Sequence, residues 1–366
     1  MQNYVVKLES EVFKSFLCQK AANSLDIDSE KKAKHELSVQ ADLKTPFNVG
    51  LIVGSSGSGK TTLAKQIFGK ECFDIEIDKS LPIIEQFPAK YSYDEISNFL
   101  CSMGLTSVPC WIRPFYTLSN GQKARAEAAL SLARADKNVT AIDEWTSVVD
   151  RTVAKVMSHC IAKNVRRNDL KIVLNSCHYD TIEWLNPDWI IDCNNQTYTD
   201  RRSMVDAFER IDRLRFDIRE VSRNTWKTFS KYHYLSDRLP AGKIYTFGIF
   251  EGKNQIGFQC FAAYIIGNQT TYFSNRTVIH PDYCGFGLGI KLINETSKIM
   301  SGMGFIIKAK FSSLVIHNSM LKSKMWKLSR ISKDIKPNVF NVSKRNRYRS
   351  RTLRSKVKCY HYDFIG

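Results

Sequence analysis

The 366-residue sequence predicts a mixed α/β (α+β) chain of two domains, on three observations. Its length exceeds what one ordinary hydrophobic core organises, yet each half is long enough to bury its own. Two glycine-rich loops of different spacing lie on either side of the midpoint, Gly54-Ser-Ser-Gly57-Ser-Gly59-Lys60-Thr61 and Tyr283-Cys284-Gly285-Phe-Gly287-Leu-Gly289. Each follows a strand-like apolar run and precedes a helical pattern. Charge is also divided, with 23 Lys+Arg against 25 Asp+Glu in residues 1–200 and 31 against 11 in residues 201–366, a surplus of 20 in the second part. The expected boundaries are a first domain over 1–200, a linker over 201–215, a second domain over 216–342 and a basic tail over 343–366.

The first domain opens its argument at Val49-Gly-Leu-Ile-Val53, a strand feeding the first loop, with Leu63–Phe68 as the helix beyond it. Strand, loop and helix are the context a P-loop requires. Backbone amides of Gly54, Gly57 and Gly59 and their neighbours would cradle phosphates, Lys60 would reach the outer ones, and the Thr61 hydroxyl, followed by Thr62, would hold Mg²⁺. ATP with Mg²⁺ is the implied ligand. Farther on, Leu118-Ser119-Asn120-Gly121-Gln122 opens a helix to Arg134, and Val139-Thr-Ala-Ile142 leads into Asp143-Glu144. Ser147-Val-Val-Asp150 follows, then Lys171-Ile-Val-Leu174 and His178.

In this order the segments resemble the signature motif, Walker B, D-loop and switch histidine of ABC-type ATPases. The resemblance implies that Asp143 serves the metal, that Glu144 orients the attacking water and that His178 senses the terminal phosphate. Gln86 is the candidate Q-loop glutamine and metal ligand. Ser119 and Gly121 would complete the site of a second copy, so a homodimer is expected. Asn120 stands where the family usually has Gly, and the interval from Gln86 to Ser119 is short for a transporter's helical subdomain. Tyr4, Phe13 and Phe16 are the aromatics available to stack on adenine.

The second domain begins where the pattern changes, after Asn194–Arg202. A helix-like Thr225–Lys231 leads into Tyr232-His233-Tyr234-Leu235-Ser236. Two strand patterns, Lys243–Phe250 and Gln255–Tyr264, flank Glu251-Gly-Lys-Asn254, the composition of a hairpin turn. Arg276-Thr-Val-Ile279 then feeds the second glycine loop, and a helix runs on to about Met300. A dinucleotide fingerprint is one reading of that loop, but no acid lies about 20 residues on to meet a ribose. The order of elements resembles the GNAT acyltransferases instead. That resemblance implies acetyl-CoA or another acyl-CoA as cofactor, bound by Ile279, Cys284, Gly285, Gly287 and Gly289. The family usually has Gln or Arg where Cys284 stands. Candidate catalytic residues are His233, Tyr234 and Ser319, with Tyr232, Ser236 and Asn318 nearby in sequence; aromatic residues at such spacing are also ordinary core.

Taken whole, the chain resembles a family of phages and mobile elements that fuses an ABC-type ATPase to a GNAT domain, with a shorter similarity to the Mom DNA-modification proteins. The basic surplus, densest in Lys344–Lys358 with eight cations and no acid, fits a polyanionic partner, since each neutralised phosphate releases counterions. The expectation is therefore ATP-coupled acylation of nucleic acid, DNA or RNA. Two alternatives stand beside it: an acetyltransferase for a protein or small molecule, and a nucleic-acid clamp with an inactive GNAT domain. No run approaches a membrane span and the N-terminus has no signal-peptide pattern, so a cytoplasmic protein without a membrane partner is expected. Ten cysteines without a CxxC pair argue against a zinc ribbon or disulfide framework.

Overall fold

A computed structural model describes residues 1–9, 15–24, 34–73, 75–135, 139–204, 216–233, 238–332 and 358–366. The chain divides into two compact units, Met1–Lys90 with Cys110–Arg210, and Tyr91–Pro109 with Ile211–Gly366. In chain order the elements of the first 200 residues are β1 (Gln2–Glu9), α1 (Phe16–Ser24), β2 (Lys34–Ala41), β3 (Val49–Val53), α2 (Lys60–Phe68), α3 (Tyr93–Ser102), α4 (Val108–Trp111), α5 (Asn120–Arg134), β4 (Val139–Ile142), α6 (Arg151–Arg167), β5 (Lys171–Ser176), α7 (Thr181–Leu185), β6 (Trp189–Asp192) and β7 (Thr197–Asp200).

The first unit is built on a five-stranded sheet of order β4-β5-β3-β6-β7, in which only β7 runs antiparallel to its neighbour. Strand β3 is buried along its whole length, as its unbroken apolar sequence requires of a central parallel strand covered on both faces. Gly50 is there because the Trp189 indole of the adjacent β6 lies against its backbone; a Cβ at Gly50 would sit 2.0 Å from Trp189 Cζ2. Asp188 closes the same end of the sheet, its Oδ2 accepting from the amides of Asn48 at 2.7 Å and Val49 at 2.8 Å. Because β4, β5 and β3 are parallel neighbours, their C-terminal ends lie side by side, and the loops that leave them converge.

The second unit carries β8 (Phe216–Glu220), α8 (Trp226–Phe229), β9 (Ile244–Glu251), β10 (Asn254–Ile266), β11 (Gln269–Ile279), α9 (Leu288–Gly302), β12 (Ile306–Phe311), α10 (Leu314–Leu321), β13 (Trp326–Ser332) and β14 (Cys359–Phe364). They form one seven-stranded sheet of order β13-β14-β12-β11-β10-β9-β8. The β9–β10 hairpin turns at Gly252, whose φ of 57° suits glycine, where the sequence reading put the turn. One face of the sheet packs α9 and α10 through Phe261, Tyr272, Ile293, Met300, Ile307, Met320 and Tyr362. The other face packs α8 through Trp226, Phe229, Phe258, Cys260 and Val278.

Two features differ from the linear reading of the sequence. Residues 91–109, which fall between Gln86 and Ser119, cluster with the second unit, and helix α3 in that stretch starts on a capping box of Ser92 and Glu95. The end of the basic segment is a strand: β14 lies between β12 and β13, with Tyr362 fully buried among them. The alternation Tyr360-His-Tyr362-Asp-Phe364 puts aromatics on the helix-covered face, which the neighbouring run of cations conceals when charge alone is followed. The rest of the expected tail and most of the expected linker lie outside the described residues. All ten cysteines are free thiols. No helix among the described residues is long and apolar enough to cross a membrane.

Candidate functional site

The converging loops of the first unit assemble a connected set of polar groups. Helix α2 begins at Gly59, in the left-handed conformation, with no side-chain cap, so its first amides are left facing outward for an anion. Lys60 is almost fully buried, and its Nζ donates to the carbonyls of Gly54 and Ser55 at 2.9 Å each. The same Nζ stands 3.0 Å from Glu144 Oε1. Thr61 Oγ1 donates to Asp143 Oδ2 at 2.7 Å, and Asn175 Nδ2 donates to Asp143 Oδ1 at 3.1 Å. Glu144 itself holds a φ of 45°, a conformation a residue with a Cβ adopts only under constraint.

His178, at the end of β5, joins this set through Thr146. The Thr146 hydroxyl lies 3.3 Å from His178 Nδ1 and 3.3 Å from Ser176 Oγ, and Ser176 Oγ accepts from the His178 amide at 3.0 Å. Cys177 packs beside Glu144, and burial together with that carboxylate raises its thiol pKa. Thr146, Ser176 and Asn175 are not motif letters, and no signal in the linear sequence singled them out. The loop is also held from the turn after β6, where Asn194 Oδ1 accepts from the Ser55 amide and hydroxyl at 3.1 and 2.9 Å.

The residues present fit a nucleoside triphosphate with a divalent cation. A Cβ at Gly57 would meet nothing within 4 Å, which leaves the loop open to a ligand. Asn175 Oδ1, on the residue that orients Asp143, is buried without a hydrogen-bond partner. Among the described residues no three His, Cys, Asp or Glu side chains come together, so a cation at Thr61 and Asp143 would complete its shell from water and phosphate.

Thr62 is in the first turn of α2. Ser119 is the N-cap of α5, forming a capping box with Gln122, and Gly121 sits in the first turn. Gln86 is not brought to the Thr61–Asp143 pair: its Oε1 accepts from the Asp78 amide at 2.9 Å and its Nε2 donates to the Asp78 carbonyl at 2.9 Å, so it braces the 78–82 loop. Of the aromatics considered for adenine, Tyr4 packs onto the core, Phe16 is exposed and Phe13 lies outside the described residues.

In the second unit β11 ends at Ile279 and the glycine loop follows. Gly285 and Gly287 take φ of 111° and 74°, and Gly287 begins α9 without a side-chain cap. A Cβ at Gly287 would meet nothing within 4 Å, whereas one at Gly289 would make an ordinary 3.8 Å contact with Ile279. Strands β11 and β12 pair in parallel only over Thr271–Ser274 and Ile306–Ala309 and then part, at a bulge beside Asn275 whose buried Oδ1 has no partner. An uncapped helix start, an open loop and a parting of strands with an unpaired polar atom suit an extended phosphorylated thioester.

A further residue that sequence reasoning missed lies just before this loop. His280, the first residue after β11, has Nε2 3.0 Å from Tyr232 Oη and Nδ1 3.4 Å from Asp282 Oδ2. The Asp282 amide donates to the same Nδ1 at 3.4 Å, so the neutral ring carries its proton on Nε2 and donates it to the Tyr232 hydroxyl oxygen; once protonated at both nitrogens, the ring faces the Asp282 carboxylate through Nδ1. A carboxylate–imidazole–phenol chain of this kind can move a proton. The available signal was His280-Pro-Asp282, a histidine with an acid two residues on at a strand end. The predicted catalytic residues are placed as their own contacts show. The His233 ring packs edge-on to Trp226 at 5.6 Å, Ser319 Oγ donates to the Val315 carbonyl inside α10 at 2.9 Å, and Tyr234 lies outside the described residues.

No family model matches the chain, and no curated protein matches it. Among solved structures it is similar over part of its length to two acetyltransferases: an IAA acetyltransferase from Bacillus cereus (15% identity, 41% of this chain and 99% of that one, TM-score 0.31) and a GNAT family acetyltransferase from Elizabethkingia anophelis with acetyl-CoA bound (10% identity, 41% and 98%, TM-score 0.31). It is also similar to a bacterial ABC transporter cassette solved as a dimer (14% identity, 51% and 94%, TM-score 0.35).

Proposed function

We propose that this protein is an ABC-type ATPase joined to a GNAT-like acyltransferase, and that it acylates nucleic acid with ATP hydrolysis coupled to the transfer. The observation that carries the reading is the pairing of two glycine-loop helix starts, each uncapped, with a separate proton-handling group beside each: Glu144 at the first and Tyr232–His280–Asp282 at the second. Lys60 and the amides of its loop would hold the phosphates, Thr61 and Asp143 the Mg²⁺, and Glu144 would orient water for attack. Ser119 and Gly121 of a second copy would close the nucleotide site, which makes the working form a homodimer.

At the second loop, Ile279, Cys284, Gly285 and Gly287 form the surroundings of an acyl-CoA pyrophosphate, with Gly289 in the first turn behind them. The thioester would supply the acyl carbon, its C–S bond breaking as the amide C–N bond forms, with CoA leaving as its thiol on taking up the proton that the amine gives up. Tyr232 and His280 take up the proton that an acceptor amine must shed, and Asp282 keeps the imidazole oriented. Nucleic acid as acceptor rests on the surplus of 20 positive charges in residues 201–366. An exocyclic amine of a base lies within a stack, so reaching it costs a few kcal/mol of unstacking, a cost ATP-driven remodelling can meet. The protein would act in the cytoplasm.

The test is transfer of label from radioactive acetyl-CoA, with Mg²⁺ and ATP, into double-stranded DNA, single-stranded DNA and tRNA. Nuclease-sensitive label is expected in one pool, absent with Lys60→Ala and reduced about 100-fold by His280→Gln, which leaves ATP hydrolysis intact. Label in no pool, while the wild type hydrolyses ATP, overturns the nucleic-acid reading.

A further inference from the structure

The face of the second sheet opposite α9 and α10 carries an ordered array of cations and aromatics at its far edge. Strand register defines it. Tyr272, Ile307, Ala309, Tyr362 and Trp326 point into the core that α9 and α10 cover, so their alternating neighbours point the other way. One row across the strands is Phe273, Lys308, Asp363 and Lys327. The next is Lys310, His361 and Arg330, brought into line by a bulge between Leu328 and Arg330. Lys310, Lys327 and Arg330 are exposed, and the one carboxylate in these rows, Asp363, is taken by Lys308 at 2.9 Å. The cations act on one another's surroundings: burial first, then Lys310 and Arg330, hold the His361 pKa below its ordinary value. At the β11 side of the array, Tyr264 is 47% exposed and its ring meets Phe273 edge-on at 5.4 Å.

We infer that this face, with Lys310, Lys327 and Arg330 as phosphate contacts and Tyr264 with Phe273 as a stacking platform, binds single-stranded nucleic acid as the acceptor strand. Charge selects a polyanion, and a flat sheet with an exposed ring selects unpaired bases, because each base offers a face to stack while a duplex hides them. Position supports the role, since the array borders the place where β11 and β12 part beyond Ser274 and Ala309. A strand laid along it passes the opening in which the acyl group is proposed to lie. The inference rests on the nucleic-acid reading above and names the strand type and the surface.

The experiment is fluorescence anisotropy of the full-length protein with a labelled 20-nucleotide oligothymidylate and a 20-base-pair duplex across a salt series. Lys310→Glu/Arg330→Glu is compared with Lys20→Glu/Lys44→Glu, exposed lysines of the first unit that change net charge equally. Thermal unfolding checks that both fold. Each lost contact lowers the salt slope by about 0.7 and affinity about 5-fold at 0.1 M salt, so the face variant should lose about 25-fold and the control almost nothing. Tyr264→Ala should weaken the single strand about 10-fold and leave the duplex unchanged. Equal losses in the two charge variants, tighter binding of duplex, or equal competition by polyglutamate would each overturn the inference. Absence of binding to either nucleic acid would fail the acceptor reading as well, and so is distinguishable from failure of the surface alone.

Discussion

Glu144 combines a strained backbone with a carboxylate beside the buried Lys60, and substitutions can separate the two. Its φ of 45° costs a residue with a Cβ about 1 kcal/mol, whereas asparagine tolerates this conformation best among side-chain-bearing residues. The ion pair to Lys60 at 3.0 Å involves a carboxylate that is 36% exposed and contributes at most about 1 kcal/mol. Lys60 keeps its bonds to the Gly54 and Ser55 carbonyls when the acid is removed, so no buried cation is stranded. Glu144→Gln therefore loses the charge and keeps the strain, while Glu144→Asn loses both. The expected result is an Asn variant about 1 kcal/mol more stable than the Gln variant, a difference of about 2–4 °C in Tm for a unit of this size. Both should hydrolyse ATP at least 100-fold more slowly than wild type. Scanning fluorimetry without nucleotide and a phosphate-release assay measure the two effects. An Asn variant no more stable than Gln would refute the strain argument, and either variant keeping a tenth of wild-type hydrolysis would refute the role of the carboxylate.

Two further predictions concern stability. Gly50→Ala should lower the melting temperature of the first unit by several degrees, because the added methyl meets Trp189 and overpacking of this kind costs about 1–3 kcal/mol; Gly50→Ala/Trp189→Phe should recover most of the loss, and an unchanged melting temperature in the single variant would contradict the packing. His159 on α6 has its pKa pushed down to about 4, chiefly by burial and then by Lys163. A histidine depressed in the folded state binds its proton more readily when unfolded, so stability falls as pH drops from about 6.5 to about 4 and the effect saturates below, with an upper limit of about 3 kcal/mol. Denaturant unfolding of His159→Gln should show a flatter profile across that window, and a profile parallel to wild type would assign the acid sensitivity elsewhere.

Much of the molecule was legible because its chemistry is local. The loop Gly54–Thr61 between β3 and α2 is built of consecutive residues, so it can be read in one dimension, and the same holds for the glycine loop at 283–289 before α9 and the turn at Gly252. Asp143 and His178 follow the strand-like runs that become β4 and β5, and the strand order puts the C-terminal ends of those strands side by side. What was hidden depends on tertiary contact. Tyr232 and His280 are 48 positions apart and meet only through the sheet. Thr146 and Asn175 carry no motif and gain meaning from a single hydrogen bond each to His178 and Asp143. Gln86 was assigned by its order after the glycine loop, and its amide bonds to its own loop. The strand β14 was obscured because eight cations precede it, and charge density draws attention from an alternation of aromatics only five residues long.

Cys284 links the glycine loop to the histidine that precedes it. In the resemblance to GNAT proteins it replaces a polar residue, which raises the question of whether the loop has lost its ligand or gained a nucleophile. Its Sγ lies 3.6 Å from the His280 carbonyl and 3.8 Å from that of Ile279, and receives the Thr106 hydroxyl at 3.6 Å. These contacts tie the thiol to the backbone that joins β11 to the loop and to Thr106 in residues 91–109, which belong to the same unit. The contacts that the thiol makes fix the carbonyl of His280, one residue before Pro281, and so set the backbone from which the imidazole reaches Tyr232. On this geometry Cys284 holds the backbone that carries His280, and in the proposed acyl-CoA site the phosphate contacts would fall to the amides of Gly285, Gly287 and the first turn of α9.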